Sequence, residues 1–253
     1  MTNALPTYKS IFLTVLFLVS YEVKTTELTL KNDLSLINRD EKLKEELYQK
    51  TKGQKILSYK EARRVLFGDI YLTKNGNQYN IIDTYCEETF DSSDGVGPNS
   101  IPPSGIINCE HTWPQSKFNV RMSRSAQKSD LHHLFPVKSL ANSTRGNSPF
   151  AEVLGEGLPD CKSSMRGIDI YSQNSAFEPP QSHKGNVARA LFYFAVRYKL
   201  NIPQHEEIHL RRWHTEDPVD SLESLRHEKI ALIQGNRNPF IDDPYLIDRI
   251  EDL

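Results

Sequence analysis

The stretch Ile107-Asn-Cys-Glu-His-Thr-Trp-Pro-Gln-Ser-Lys-Phe118 sets a carboxylate and an imidazole side by side, Glu110 and His111. It follows Gly105-Ile-Ile-Asn-Cys109, which reads as a strand. Successive strand residues point to opposite faces, so neighbours share one site only where the strand bends or ends. Pro114 supplies a reason to end, because it has no N–H for a ladder bond. Downstream come Ser129-Asp-Leu-His-His-Leu-Phe-Pro136 and Asn142-Ser-Thr-Arg-Gly-Asn-Ser-Pro-Phe150. Carboxylate, imidazole, amide and guanidinium groups on a strand, a loop and a helix suit metal-assisted phosphodiester hydrolysis. A hard ion such as Mg²⁺ takes oxygen ligands and keeps several waters, so Glu110 and the amide oxygen of Asn142 suffice as protein ligands. His111 can then deprotonate an attacking water near neutral pH. Standing alone, a Glu-His pair more often means a surface carboxylate beside a half-buried histidine.

The charge around this stretch differs from that of the whole chain. The 253 residues carry 31 basic and 33 acidic side chains, a formal charge of -2, with 38% hydrophobic and 25% charged residues. That composition excludes collagen-like, disordered and multi-span membrane proteins. Between Gln115 and Arg145, however, Lys117, Arg121, Arg124, Lys128, Lys138 and Arg145 face Asp130 alone, a net of +5. A local basic field is what a phosphate-backbone binder needs, and backbone contacts carry no sequence information.

Further out, Ile11-Phe-Leu-Thr-Val-Leu-Phe-Leu-Val19 after Lys9 is too short to span a bilayer and right for a secretory signal over residues 1–20. Leu18-Val-Ser20 is a poor cleavage site, so an uncleaved anchor or a buried helix stays open. Residues 21–57 read as a polar lead, with Leu36, Leu43 and Leu47 striping a short helix, and the catalytic domain is placed at 58–253. Ser58-Tyr-Lys-Glu61 is a capping box opening a helix up to Gly68. Ile70–Thr73 and Tyr79–Tyr85 read as strands around the Asn75-Gly76 turn. A surface loop covers 91–104. From Ser129 the chain turns helical, with Ser129 or Asp130 as N-cap, Pro136 as a restart and a helix ending near Gly146. Residues 147–180 read as irregular loops, 186–200 as a helix with Arg189 and Lys199 off its apolar face, and 222–234 as a last helix. Cys86, Cys109 and Cys161 allow one disulfide and one free thiol, the pairing undetermined.

The motifs at 108–116, 129–136 and 142–147, with Lys184-Gly-Asn-Val-Ala-Arg189 and Gln234-Gly-Asn-Arg-Asn-Pro-Phe240, resemble the bacterial endonuclease I family, secreted or periplasmic nucleases with a ββα-metal active site. The resemblance runs from about Ala62 to Ile250. It implies an α+β fold with a ββα-metal (His-Me finger) core surrounded by helices and long loops. It implies Glu110 and Asn142 as metal ligands for Mg²⁺, with Ca²⁺ or Mn²⁺ as alternatives, His111 as general base, and an arginine on the phosphate. Arg121, Arg124 and Arg145 are candidates for that arginine, with Arg145 preferred; Arg121, Arg124 and Lys128 are expected on the substrate. Asp130 and His132 are expected to orient the groups that touch metal and water, His133 has no role, and Trp113 belongs to the core. The protein is then an exported, periplasmic or extracellular monomer without a stable membrane partner, cutting DNA, with RNA left open, to 5′-phosphate and 3′-hydroxyl ends.

Two other classes compete. His205-Glu-Glu-Ile-His209 fits the zinc-protease pattern H-E-x-x-H. It begins two residues after Pro203 and needs a third ligand, for which Glu223 or Glu228 could serve. A non-catalytic exported nucleic-acid-binding module would keep the basic segment and have no use for Glu110, His111 and Asn142 together.

Overall fold

The computed structural model describes residues 39–253, so the expected signal, the first part of the polar lead and Leu36 lie outside the described residues. The chain divides into two units, 1–43 and 44–253. Helix α1 spans 39–51, and the second unit carries every candidate site residue. Among the described residues no helix is long and apolar enough to cross a membrane.

Helix α2 (Tyr59–Val65) begins as its capping box dictates: Glu61 N–H donates to Ser58 Oγ at 3.2 Å and Ser58 N–H to Glu61 Oε2 at 3.0 Å. It continues into a π-helical turn, Leu66–Ile70. Ile70 is therefore helical rather than extended, and the hairpin starts later, with β1 (Thr73–Asn75) and β2 (Gln78–Ile82) joined through Gly76 at φ +60°. Strand β3 (Thr89–Phe90) pairs with β2. The strand expected over 79–85 stops at Ile82, because the Asp83 carboxylate accepts the N–H groups of Tyr85, Cys86 and Glu88 and turns the chain.

Strand β4 (Ile107–His111) pairs antiparallel with β5 (Leu134–Lys138), placing Glu110 opposite Phe135 and His111 opposite Leu134. It ends at His111, as Pro114 implied. Helix α3 (Arg124–Lys128) and a 3₁₀ turn, Leu131–His133, connect the two strands, and Asp130 caps the turn by accepting His132 N–H at 3.1 Å. Pro136 restarts no helix; it sits inside β5 opposite Cys109. A two-stranded sheet consists of edge strands, where a proline is tolerated, and the Pro136 carbonyl still accepts Thr84 N–H at 2.9 Å. Helix α4 (Ser139–Arg145) follows at once and stops at Gly146, φ +55°.

Residues 147–180 are not irregular. They hold an antiparallel sheet of β6 (Val153–Leu158), β7 (Cys161–Asp169) and β8 (Ser175–Glu178). Glycine lets its backbones approach: a Cβ on Gly155 would lie 2.1 Å from the Arg166 carbonyl oxygen. A Cys86–Cys161 disulfide ties this sheet to the turn after β2, and Cys109 is the buried free thiol.

Helix α5 (Gln181–Tyr198) is buried almost all round. Lys199, its left-handed C-cap, is exposed, and Arg189 is buried, where Glu223 meets its guanidinium at 2.6 Å. Helices α6 (Gln204–Glu216), α7 (Ser221–Gln234) and α8 (Pro239–Asp242) complete an α+β fold. One apolar cluster joins Ala62, Leu66 and Phe67 to Ile107, Cys109, Leu131, Leu134 and Ile230. Each large side chain in it contributes about 1.5–3 kcal/mol by burial. The two strands that carry the site motifs are thus anchored in the core.

Candidate active site

Glu110, His111 and Asn142 line one cleft of about 260 Å³, together with Tyr59, Asn108, Gln115 and Asn147. Glu110 and His111 are the last two residues of β4, and Asn142 comes from α4, the helix that follows β5. The strand end releases the two neighbours from alternation, and the β4–β5 pairing brings the helix beside them.

The His111 ring is buried and held from several sides. Its Nε2 lies 3.0 Å from the Lys128 carbonyl and its Nδ1 3.3 Å from the Gln115 amide nitrogen. A carbonyl only accepts and an amide N–H donates, so these partners assign the proton to Nε2 and the lone pair to Nδ1. Tyr59 and His133 pack against the ring at centroid distances of 5.5 and 5.4 Å. Burial, reinforced by His133, pulls the His111 pKa down to about 3, so the neutral imidazole is the resting form.

Glu110 is buried with two donors on one oxygen: Tyr85 Oη and Arg145 Nη1 each lie 2.9 Å from Oε1. The other oxygen is not used by either. Burial raises the carboxyl, and Arg145, Tyr85 and the His111 backbone N–H oppose that rise by favouring the anion. Asn142 is half-buried, one helical turn before Arg145. A carboxylate and a side-chain amide are hard oxygen donors, which fits Mg²⁺ or Ca²⁺ and leaves room for water ligands.

The other expected residues divide. Arg145, preferred for the phosphate, is 2% exposed and faces inward, donating to Glu110, to the His111 carbonyl at 3.2 Å and to the Thr112 carbonyl at 2.9 Å. It positions Glu110 and does not line the cleft. Arg121 and Arg124 are exposed outside it, and Lys128 is half-buried. Arg124 reaches the Gln115 carbonyl at 3.5 Å, and the Lys128 ammonium sits 4.4 Å from the Tyr59 ring centre, so both flank the opening. Asp130 and His132 touch neither Glu110 nor His111. The Asp130 carboxylate accepts from Gln54, Tyr193, Tyr198 and Gln234, which holds the chain segment whose Lys128 carbonyl carries His111. Gln54, from the supposed lead, is part of that network. His133 supports the His111 ring and donates its Nε2–H to the Gln127 carbonyl, 2.8 Å away. Trp113 is core, stacked on Phe194.

The sequence profile of the endonuclease I family matches residues 39–245. The chain belongs to the endonuclease I family. It is 34% identical to the extracellular ribonuclease of Bacillus subtilis (strain 168) over 82% of this chain and 73% of that protein. It is equally similar, with the same coverage, to the extracellular ribonuclease of Bacillus amyloliquefaciens. A periplasmic deoxyribonuclease of Aeromonas hydrophila is 32% identical over 45% of this chain and 47% of its own length. Endonuclease I membership makes the chain a nuclease, in a family that is metal-dependent in general.

The H-E-x-x-H motif is bound into the packing of this chain. It lies on α6, but His209 is 0% exposed with both nitrogens engaged: Nδ1 accepts Glu152 N–H at 3.3 Å and Nε2 donates to Asp169 at 2.8 Å. Glu206 accepts Phe150 N–H at 2.8 Å. The third-ligand candidates are occupied too, Glu223 by Arg189 and Glu228 by Arg237. Among the described residues no group of three or more His, Cys, Asp or Glu is placed to hold a metal. Tyr59, Tyr85 and Gln115 are the site residues that motif reading missed; only Gln115, within the motif itself, carried a sequence signal.

Proposed function

We propose that this chain is an exported, metal-dependent, sequence-nonspecific endonuclease whose reaction centre is Glu110, His111 and Asn142. The observation that carries the reading is the lining of one cleft by these three residues, with the His111 lone pair on Nδ1. The order β4, β5, α4 supports a ββα-metal core. Relatives named extracellular and periplasmic support export. DNA is the expected substrate, and RNA stands beside it because the more extensive similarity is to ribonucleases.

Glu110 and Asn142 would hold the ion. When bound, it supplies charge stabilisation to the phosphate and the departing 3′ oxygen. His111 Nδ1 takes a proton from the attacking water, the water oxygen bonds phosphorus, the P–O3′ bond breaks, and the departing 3′ oxygen takes a proton from solvent, leaving 5′-phosphate and 3′-hydroxyl ends. The resulting imidazolium keeps its Nε2–H on the Lys128 carbonyl, which favours the charged form. Arg145 and Tyr85 fix the Glu110 carboxylate, while Arg121, Arg124 and Lys128 attract the backbone at the cleft's edge. Plasmid DNA and single-stranded RNA, incubated with protein in Mg²⁺, Mn²⁺ or Ca²⁺ and with chelator, test the reading. Cutting that needs the metal is expected; intact substrate in every metal overturns it.

A further inference from the structure

A second cavity of about 220 Å³ lies beside the cleft and shares Pro114 with it. Its walls are mostly apolar, with Trp113, Pro114, Leu191, Leu200 and Ile202 among them, and Lys117, Asn201 and Glu206 add polar groups. Arg145 also lines it, so the guanidinium that fixes Glu110 on the cleft borders this cavity as well. Two lining residues, Thr112 and Arg145, are nearly fully buried, and each keeps a polar atom, Oγ1 and Nε, without a hydrogen-bond partner in the protein. Both atoms are closed to solvent, so the polar groups this cavity offers are those of Lys117, Asn201 and Glu206. Glu206 uses Oε1 for Phe150 N–H, which leaves its other oxygen free of that bond.

We infer that this cavity receives one unstacked nucleobase of the strand held in the neighbouring cleft. Apolar walls with a few polar groups match a heterocycle, which has two π faces and a hydrogen-bonding edge. The volume falls below the ~300–1,000 Å³ of drug-sized pockets, which suits one ring system and not an oligonucleotide. Lys117 is exposed and lines the cavity, so its ammonium can meet the adjoining phosphate. A paired base must leave its stack to enter, so the pocket favours single-stranded RNA or DNA over duplex. The inference rests on the nuclease reading for the identity of the strand.

Nucleoside monophosphates offer no phosphodiester to cut, so the test keeps Mg²⁺ present. Trp113 and Trp213 are the two tryptophans of the chain, which gives two indole ¹H–¹⁵N signals. Titration with AMP, CMP, GMP and UMP should shift the Trp113 indole saturably with at least one of them, and ribose 5-phosphate should not. Leu200→Phe, which narrows the cavity, should abolish the shift and lower the kcat/KM ratio of single-stranded to duplex substrate about tenfold. If Leu200→Phe fails to fold, seen as displacement of the Trp213 signal, Asn201→Ala at the exposed rim should weaken the shift. No shift with any nucleotide, or the same shift with ribose 5-phosphate, overturns the pocket even if wild type cuts nucleic acid. Base-dependent shifts in a protein that cuts nothing would instead break the nuclease reading, and with it the assignment of the base to a cleaved strand.

Discussion

His111 and His209 are both buried imidazoles next to, or one helical turn from, a glutamate, yet they stand in opposite chemical situations. His209 has both nitrogens engaged by Glu152 and Asp169, so its ring is a strut between α6 and the β6–β8 sheet. His111 gives one nitrogen to a backbone carbonyl and presents the other, bridged only by a 3.3 Å contact to the movable Gln115 amide, in a cleft. The same contrast separates the carboxylates. Asp130 is surrounded by donors on both oxygens, whereas Tyr85 and Arg145 crowd onto one oxygen of Glu110. A motif becomes a site where a polar valence remains open toward a cavity, and a saturated motif is architecture.

The largest expected effect follows from the place of Glu110 in the cleft. Glu110→Ala should abolish saturable Mn²⁺ binding in calorimetry and reduce cleavage beyond the ~10–100-fold typical of outer partners of a metal site. Retained binding and cutting would place the ion elsewhere. Next, Arg145→Met leaves a buried carboxylate without its cation and should cost about 3–5 kcal/mol in urea unfolding. Adding Glu110→Gln should recover part of that loss; if the two losses simply add, the pair is not coupled.

A smaller effect comes from buried histidines outside the site. Burial holds the pKa of His183 and His132 down to about 3 and that of His133 to about 4. The unfolded chain takes up these protons near 6.5, so the stability of the neutral forms is complete above that pH and drains away as pH falls toward 4. Each group can contribute up to ~1.4 kcal/mol per pH unit in that window. His183 Nε2 has no partner and its ring packs on Phe135; His183→Phe should flatten the acid slope of the melting temperature, and an unchanged slope would remove this residue from the acid response. The smallest effect is expected at His205, half-buried at the start of α6. His205→Ala should leave cleavage and zinc content unchanged, while zinc-dependent casein cleavage lost in that variant would reverse the comparison.

What could be read from sequence was local. The capping box at Ser58, the Asn75-Gly76 turn, the cap at Asp130 and the strand end before Pro114 depend on neighbours a few residues apart. The sheet over 153–178 escaped because Leu154–Gly157 lie exposed and glycines replace side chains, erasing the alternation that marks a strand. Strand β5 escaped because Pro136 argues against a strand anywhere but an edge. At the proposed site, Glu110, His111 and Asn142 stand out by residue type and order, and the fold sets them on one cleft. Tyr85 was not, since the Asp83 turn, the Cys86–Cys161 disulfide and the Ser164 hydroxyl on the Tyr85 carbonyl bring it to Glu110 from another part of the chain. Arg145 was found by proximity to Asn142, but its inward direction is set by the Glu110 carboxylate and two carbonyls that only the folded chain places there.

The most direct test of the open-valence account is the cleavage rate of His111→Ala in saturating Mg²⁺, on plasmid DNA and on single-stranded RNA, with Mn²⁺ affinity measured on the same samples. The account predicts a fall of about 10²–10⁴-fold in kcat with metal affinity retained. A variant that cuts at the wild-type rate would contradict it.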